Sequence, residues 1–131
     1  MRHILHRNTK TILESDNNLF CLLTMNPHPV HLNVEYALKA HHKCILVVGT
    51  LVFSLAVGLT VPEISYNAVA NLGYWDVLHL APVFIGDTIR VESDLIDIKN
   101  TSKGGQIQTY TSTVYNQNDL PVLSFRRKIL I

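Results

Sequence analysis

Residues 44–62 read CILVVGTLVFSLAVGLTVP, 19 positions without a charged side chain in a chain of 131. That length approaches the roughly 20 apolar residues of a membrane span. Gly49, Thr50, Ser54, Gly58 and Thr60 interrupt it, however, and nothing else in the chain is membrane-like. Length and position also suit a helix buried on all sides in a sheet-wrapped core, the reading we adopt. Such a helix is best begun at Gly49 and ended near Thr60, with Pro62 just past its end. A long helix whose whole circumference is apolar needs a sheet curled round it, so the predicted class is α+β.

The flanking sequence supplies that sheet. Downstream, residues 88–99 carry Ile89, Val91, Leu95, Ile96 and Ile98 among charges, and their inward phase switches near Asp94 to Ile96, which predicts a bulge. Residues 100–105 are turn text, and residues 106–116 form a Thr- and Tyr-rich strand of period two. After a turn at Gln117-Asn118-Asp119, Leu123, Phe125, Ile129 and Ile131 share one face of a last strand. Upstream, Thr9, Thr11 and Ile12 suggest a short strand. Ser15 and Asp16 start an amphipathic helix carrying Leu19, Phe20, Leu22 and Leu23. It stops by Met25, because a helix interior cannot hold Pro27 and Pro29. Val34, Ala37 and Leu38 then mark a second short helix within residues 30–40. The expected order is short helices, one long apolar helix, then three or four antiparallel strands.

Composition sets the class. Hydrophobic residues make up 47% and charged residues 16%, which excludes a disordered or fibrous chain. The length suits a single domain over residues 1–131. A net charge of +1 offers no basic excess for nucleic acid, and the low charge density implies surface covered by a partner. Two cysteines, Cys21 and Cys44, make no disulfide framework, and the first ten residues hold no sustained apolar stretch, so a reducing, cytoplasmic compartment is expected.

Chemistry concentrates in two places. Asn26-Pro27-His28-Pro29-Val30-His31 sets two histidines and an amide in a loop stiffened by two prolines. Gly49 opens the apolar helix, where free N–H groups can bind a developing oxyanion. Cys21, His28, His31, His41, His42 and Cys44 fall within 24 residues but match no zinc spacing, so no metal is expected. Arg126-Arg127-Lys128, the one basic cluster, reads as a solvated edge rather than a phosphate clamp.

These residues resemble the MaoC-like dehydratases and (R)-specific enoyl-CoA hydratases, whose signature is roughly Asp-x-Asn-Pro-x-His, then an Ala, then a Gly opening an apolar helix. Asn26 to His31 matches that spacing and is followed by Tyr36-Ala37; Gly49 to Leu55 looks like the helix start, and Ala81 to Thr88 like a second family segment. Leu23-Thr24-Met25-Asn26 and Asn71-Leu72-Gly73-Tyr74 are most similar to the mesaconyl-CoA hydratase or β-methylmalyl-CoA dehydratase type. The resemblance implies the hot-dog fold, an antiparallel sheet wrapped round one helix. It also implies an acyl-CoA hydratase or dehydratase acting across the 2,3 bond of an enoyl or 3-hydroxyacyl thioester. CoA would enter as part of the substrate, with no bound cofactor.

By position, His31 matches the family's catalytic histidine and Gly49 the glycine whose N–H polarises the thioester carbonyl, while Asn26 fills the catalytic aspartate position. His28 stands where the family usually has Asn, and Asn33 where an Asp commonly follows the histidine. The catalytic candidates are therefore Asn26, His31 and Gly49, with His28 and Thr50 as substrate-binding candidates. An Asn can orient water but cannot take or deliver its proton at neutral pH. That substitution keeps a second reading open, an acyl-CoA-binding hot-dog protein of little or no activity. A hot-dog thioesterase ranks third, because residues 42–62 hold no carboxylate to activate water. The family implies a homodimer or higher oligomer; the segment before Thr9 to Thr11 is shorter than the family's, so a missing or abbreviated first strand is expected.

Overall fold

The computed structural model describes residues 2–131. Its elements in chain order are β1 (Arg2–Leu5), β2 (Lys10–Thr11), α1 (Glu14–Thr24), α2 (Val34–Lys39), α3 (Gly49–Thr60), β3 (Ala70–His79), β4 (Thr88–Asn100), β5 (Gln106–Tyr115) and β6 (Pro121–Leu130). A 3-10 turn at Pro29–His31 precedes α2, and a π-helical turn at Val61–Ser65 follows α3.

Local chemistry explains the helix ends. The Asp16 carboxylate accepts the Leu13 N–H at 2.8 Å and pairs with Lys10 Nζ at 2.8 Å. The Lys10 ammonium and that N–H hold its carboxyl below the usual carboxylate range. At the other end Met25 adopts φ 57°, and the Asn26 N–H closes the helix onto the Cys21 carbonyl at 3.0 Å. Pro62 has no N–H to continue the ladder of α3, so the chain widens into the π turn, where the Tyr66 N–H reaches the Val61 carbonyl at 2.9 Å.

The sheet has the order β1-β4-β5-β6-β3, with β2 also paired to β4, and every pairing is antiparallel. The bulge expected in β4 is present: Leu95 faces Tyr110 and Asp97 faces Thr109, which leaves Ile96 as the extra residue. At the N-terminal end β1 and β2 are two short pieces lying along the same edge of β4.

Two expectations need correction. Four antiparallel strands follow α3, as expected, and β2 sits at the short strand expected near Thr9 to Thr11, but β1 adds a further strand at the N-terminal end and β3 carries no strand signal in the sequence. The register of β3 against β6 slips between Asn71 and Gly73 and again between Trp75 and Leu78, and Asp76 takes φ 51°. Those slips erase the period-two signal on which a strand is recognised. Nor is α3 buried on all sides. Leu51, Val52, Ala56 and Thr60 are buried, whereas Thr50, Ser54 and Gly58, spaced four apart, form an exposed stripe of small residues.

The core lies between the inner face of the sheet and α3: Val48, Val52 and Ala56 meet Ile89, Val91, Val114, Leu123 and Phe125. Phe53 stands edge-on to both Tyr74 and Phe125, with ring centres at 5.0 and 5.1 Å. The basic cluster splits as strand alternation requires. Arg126 and Lys128 are exposed, while buried Arg127 donates to Asn71 Oδ1 at 2.8 Å and to Thr60 Oγ1 at 3.0 Å. Burial holds its guanidinium below the ordinary value, with the Tyr74 hydroxyl opposing. No helix among the described residues is long and apolar enough to cross a membrane.

Candidate active site

The loop between α1 and α2 is built by its own polar side chains. Asn26 Oδ1 accepts the His28 N–H at 3.1 Å, and His28 Nδ1 accepts the Val30 N–H at 3.1 Å. Asn33 Oδ1 caps α2 through the Tyr36 N–H at 3.0 Å. With two prolines in between, little freedom is left at His31, the last residue of the 3-10 turn.

His31 is held from two sides. Its Nδ1 lies 2.7 Å from the Leu46 carbonyl oxygen. A carbonyl only accepts, so Nδ1 carries the proton and Nε2 of the neutral ring keeps its lone pair. The His31 carbonyl in turn accepts from Asn17 Nδ2 at 3.0 Å, and Asn17 Oδ1 accepts the Val48 N–H at 3.0 Å. Asn17 is fully buried in α1 and so ties the histidine loop to the entry of α3. Sequence reasoning passed over it, because Asp16-Asn17-Asn18 looks like ordinary helix-start polarity.

Gly49 is the first residue of α3, so its N–H, like that of Thr50, lies outside the intrahelical ladder. The group that needs a glycine there is the His79 ring, at the end of β3. A Cβ at position 49 would lie 2.7 Å from His79 Cε1 and 3.1 Å from its Nδ1. His31, His42, Gly49 and His79 line one cleft of about 390 Å³, whose apolar wall includes Val47, Val52, Val83 and Val122. His42 is fixed edge-on to Phe84 with ring centres 5.6 Å apart. No carboxylate lines this cleft among the described residues.

The structure therefore brings His31 and Gly49 together. Half-buried Asn26 instead lines a neighbouring apolar depression with Cys21, Leu22, Met25, Pro27 and Leu32. His28 is exposed, edge-on to His31 and to Tyr36 with ring centres 5.9 Å apart in both pairs. Thr50 lies on the exposed stripe of α3 and does not line the cleft. Among the described residues, no three His, Cys, Asp or Glu side chains are grouped to hold a metal ion. Neither His79 nor His42 was a predicted site residue. The two-residue approach of His79 to Gly49 crosses from strand to helix and leaves no local sequence pattern.

The chain is similar to known proteins. The chain is 36% identical over 129 residues to mesaconyl-CoA hydratase of Cereibacter sphaeroides, covering 98% of this chain and 38% of that protein. It is 32% identical over 129 residues to β-methylmalyl-CoA dehydratase of Chloroflexus aurantiacus, covering 98% of this chain and 37% of that one. The chain thus spans less than two-fifths of the length of either relative. A Mycobacterium tuberculosis structure described as a double hotdog fold superposes with a TM-score of 0.91 at 16% identity, over 99% of this chain and 41% of that chain, which establishes the hot-dog fold. Residues 1–117 match the MaoC like domain family, and the chain belongs to that family.

Proposed function

We propose that this chain is an acyl-CoA hydratase or dehydratase, adding or removing water across the 2,3 bond of an enoyl or 3-hydroxyacyl thioester. The observation that carries the reading is the pairing, in one cleft, of a histidine with a fixed free Nε2 and the first N–H of a helix. The thioester oxygen accepts the Gly49 N–H, which stabilises the charge that develops there, an effect worth about 10² to 10³ in rate. His31 Nε2 takes a proton from water as the water oxygen bonds to C3. Asn26, outside the cleft, holds the loop through the His28 N–H rather than exchanging a proton. Exposed His28 and Thr50 are assigned to contacts with the substrate beyond the reacting atoms. CoA is the substrate's carrier, and the reaction as written uses no other cofactor.

Partners follow from the sheet edges. The β1–β2 edge is short and interrupted, whereas β3 is ten residues long, pairs only with β6, and exposes Leu72, Trp75, Leu78 and Leu80 near it. An unpaired apolar edge invites a second strand, and we assign it to another copy of this hot-dog domain. Two unpaired cysteines, one buried and one exposed, support a reducing compartment.

Hydration of crotonyl-CoA and mesaconyl-CoA, followed as loss of enoyl-thioester absorbance, tests the activity. Turnover by the wild type that His31→Ala reduces about 10² to 10⁴-fold supports it. The second reading, acyl-CoA binding without chemistry, is favoured by a cleft that no carboxylate lines among the described residues. Tight CoA-thioester binding with no turnover would establish that reading instead.

A further inference from the structure

We propose that His79 is the second proton-transfer residue of the cleft, exchanging with C2 of the acyl thioester the proton that the Asn26 carboxamide cannot carry. The inference rests on the hydratase reading above. Hydration needs two transfers, one from water to a base and one from an acid to C2. His31 has a single free ring nitrogen, since the Leu46 carbonyl occupies the other. Among the described residues no carboxylate lines the cleft, and Asn26 lies in a different depression. The remaining side chains there that can carry a proton are His42 and His79.

Position selects His79. Its ring lies so close to Gly49 that any Cβ at 49 would meet Cε1 at 2.7 Å. The N–H proposed to hold the thioester oxygen belongs to that same glycine, and C2 is bonded to the carbon bearing that oxygen. His42, by contrast, packs edge-on against Phe84 and His41, on the segment before α3. The His79 ring is exposed and makes no hydrogen bond among the described residues, so both nitrogens are open to substrate and solvent. Its backbone is held nevertheless: the next residue, Leu80, donates its N–H to the Val122 carbonyl at 2.9 Å.

The step balances. A water O–H bond breaks, its proton goes to His31 Nε2, and the oxygen bonds to C3. The π electrons move toward the thioester as an enolate whose oxygen accepts the Gly49 N–H. Protonated His79 then gives its proton to C2 as the enolate collapses. His31 releases its proton to solvent and His79 takes one up. In dehydration the two residues exchange roles.

His79→Phe keeps a ring over Gly49 but removes the proton, and His79→Gln keeps hydrogen bonding without acid–base capacity. Both are measured beside wild type for crotonyl-CoA hydration across pH, with thermal melts as a folding control. Exchange of the C2 hydrogen of 3-hydroxybutyryl-CoA in D₂O is followed by NMR. We expect both variants to fold, with kcat down about 10² to 10⁴-fold, KM changed little, one limb of the pH profile lost and C2 exchange slowed. Retention of kcat in His79→Phe with both limbs intact, or a rise in KM alone, would overturn the proposal and leave the ring as a packing group. A wild type that binds CoA thioesters but turns over none would overturn the hydratase reading and this proposal together.

Discussion

The Nδ1–H of His31 points at the Leu46 carbonyl oxygen, 2.7 Å away, and this one bond decides which ring nitrogen is left to act as a base. An asparagine at 31 can present an N–H near the same position but has nothing in place of Nε2. His31→Asn is therefore expected to hold the loop, with a melting temperature within a few degrees of wild type. Its kcat for enoyl-CoA hydration is expected to fall about 10² to 10⁴-fold. Equal losses of stability and activity would mean that the histidine serves the fold rather than the chemistry.

Asn17 predicts a coupled effect at a distance from the reacting atoms. Its amide bridges the His31 carbonyl and the Val48 N–H within the core. Asn17→Leu leaves that N–H buried without an acceptor, at a cost of about 1–3 kcal/mol in urea unfolding. The same change frees the His31 loop, so kcat should fall further than stability alone explains when measured well below the melting temperature.

Gly49 and His79 should behave as one unit in a double-mutant cycle. Gly49→Ala alone brings a methyl group against the His79 ring, which must swing away. The ring is an exposed side chain, so the protein stays folded, while hydration slows. In a His79→Ala background the added methyl has nothing to meet. We expect a coupling energy of about 0.5–3 kcal/mol in kcat/KM, and an additive cycle would show that the two do not touch in solution.

Acid should unfold this protein through His6. Its Nδ1 donates to Glu63 Oε2 at 3.3 Å, and its Nε2 accepts from Ser93 Oγ at 2.8 Å, which is bonded to Ser112 Oγ at 2.7 Å. Burial holds His6 below its ordinary value near 6.5, with Glu63 opposing and Arg2 assisting. The unfolded chain therefore binds a proton that the native state refuses, so stability rises with pH through the window below about 6.5 and is lost as pH falls through it. One proton corresponds to a slope of up to about 1.4 kcal/mol per pH unit. Glu63 adds to this at lower pH. Burial pushes its carboxyl up, but the Arg7 N–H and His6 bonds outweigh that and hold it below the usual range. His6→Gln should flatten the window nearest 6.5 in urea titrations at stepped pH, and an unchanged slope would assign the acid sensitivity elsewhere.

The free edge of β3 predicts the assembly. Leu72 and Leu78 are both about half exposed on this strand. Lysine at either position sets a charge on the edge and should shift sedimentation velocity from dimer or larger to monomer. A wild type that sediments as a monomer at micromolar concentration would refute the assignment of a second copy to this edge.

Gly49 to Thr60, the β4 bulge at Ile96 and the two-proline loop ending at His31 were all legible in the sequence, because each is a local pattern: a charge-free run, a phase change, a stiff dipeptide repeat. Strand β3 was not, since its two register slips destroy the alternation by which strands are read. The exposed stripe of α3 escaped for another reason. Thr50, Ser54 and Gly58 are small and uncharged, so composition could not tell a covered face from an open one.

The site divides in the same way. Sequence alone determined the family segment, the histidine and the helix-opening glycine, because loop stiffness and helix starts are properties of neighbouring residues. Only the tertiary structure decided that Asn26 turns to a separate depression, that Asn17 holds the His31 loop, and that His79 lies over Gly49. Those relationships join residues 14 to 31 positions apart in the chain, as in Asn17 with His31, Asn17 with Val48 and His79 with Gly49. They exist only once the strands pair and α3 docks against the sheet, since contact across the core follows packing and not sequence spacing.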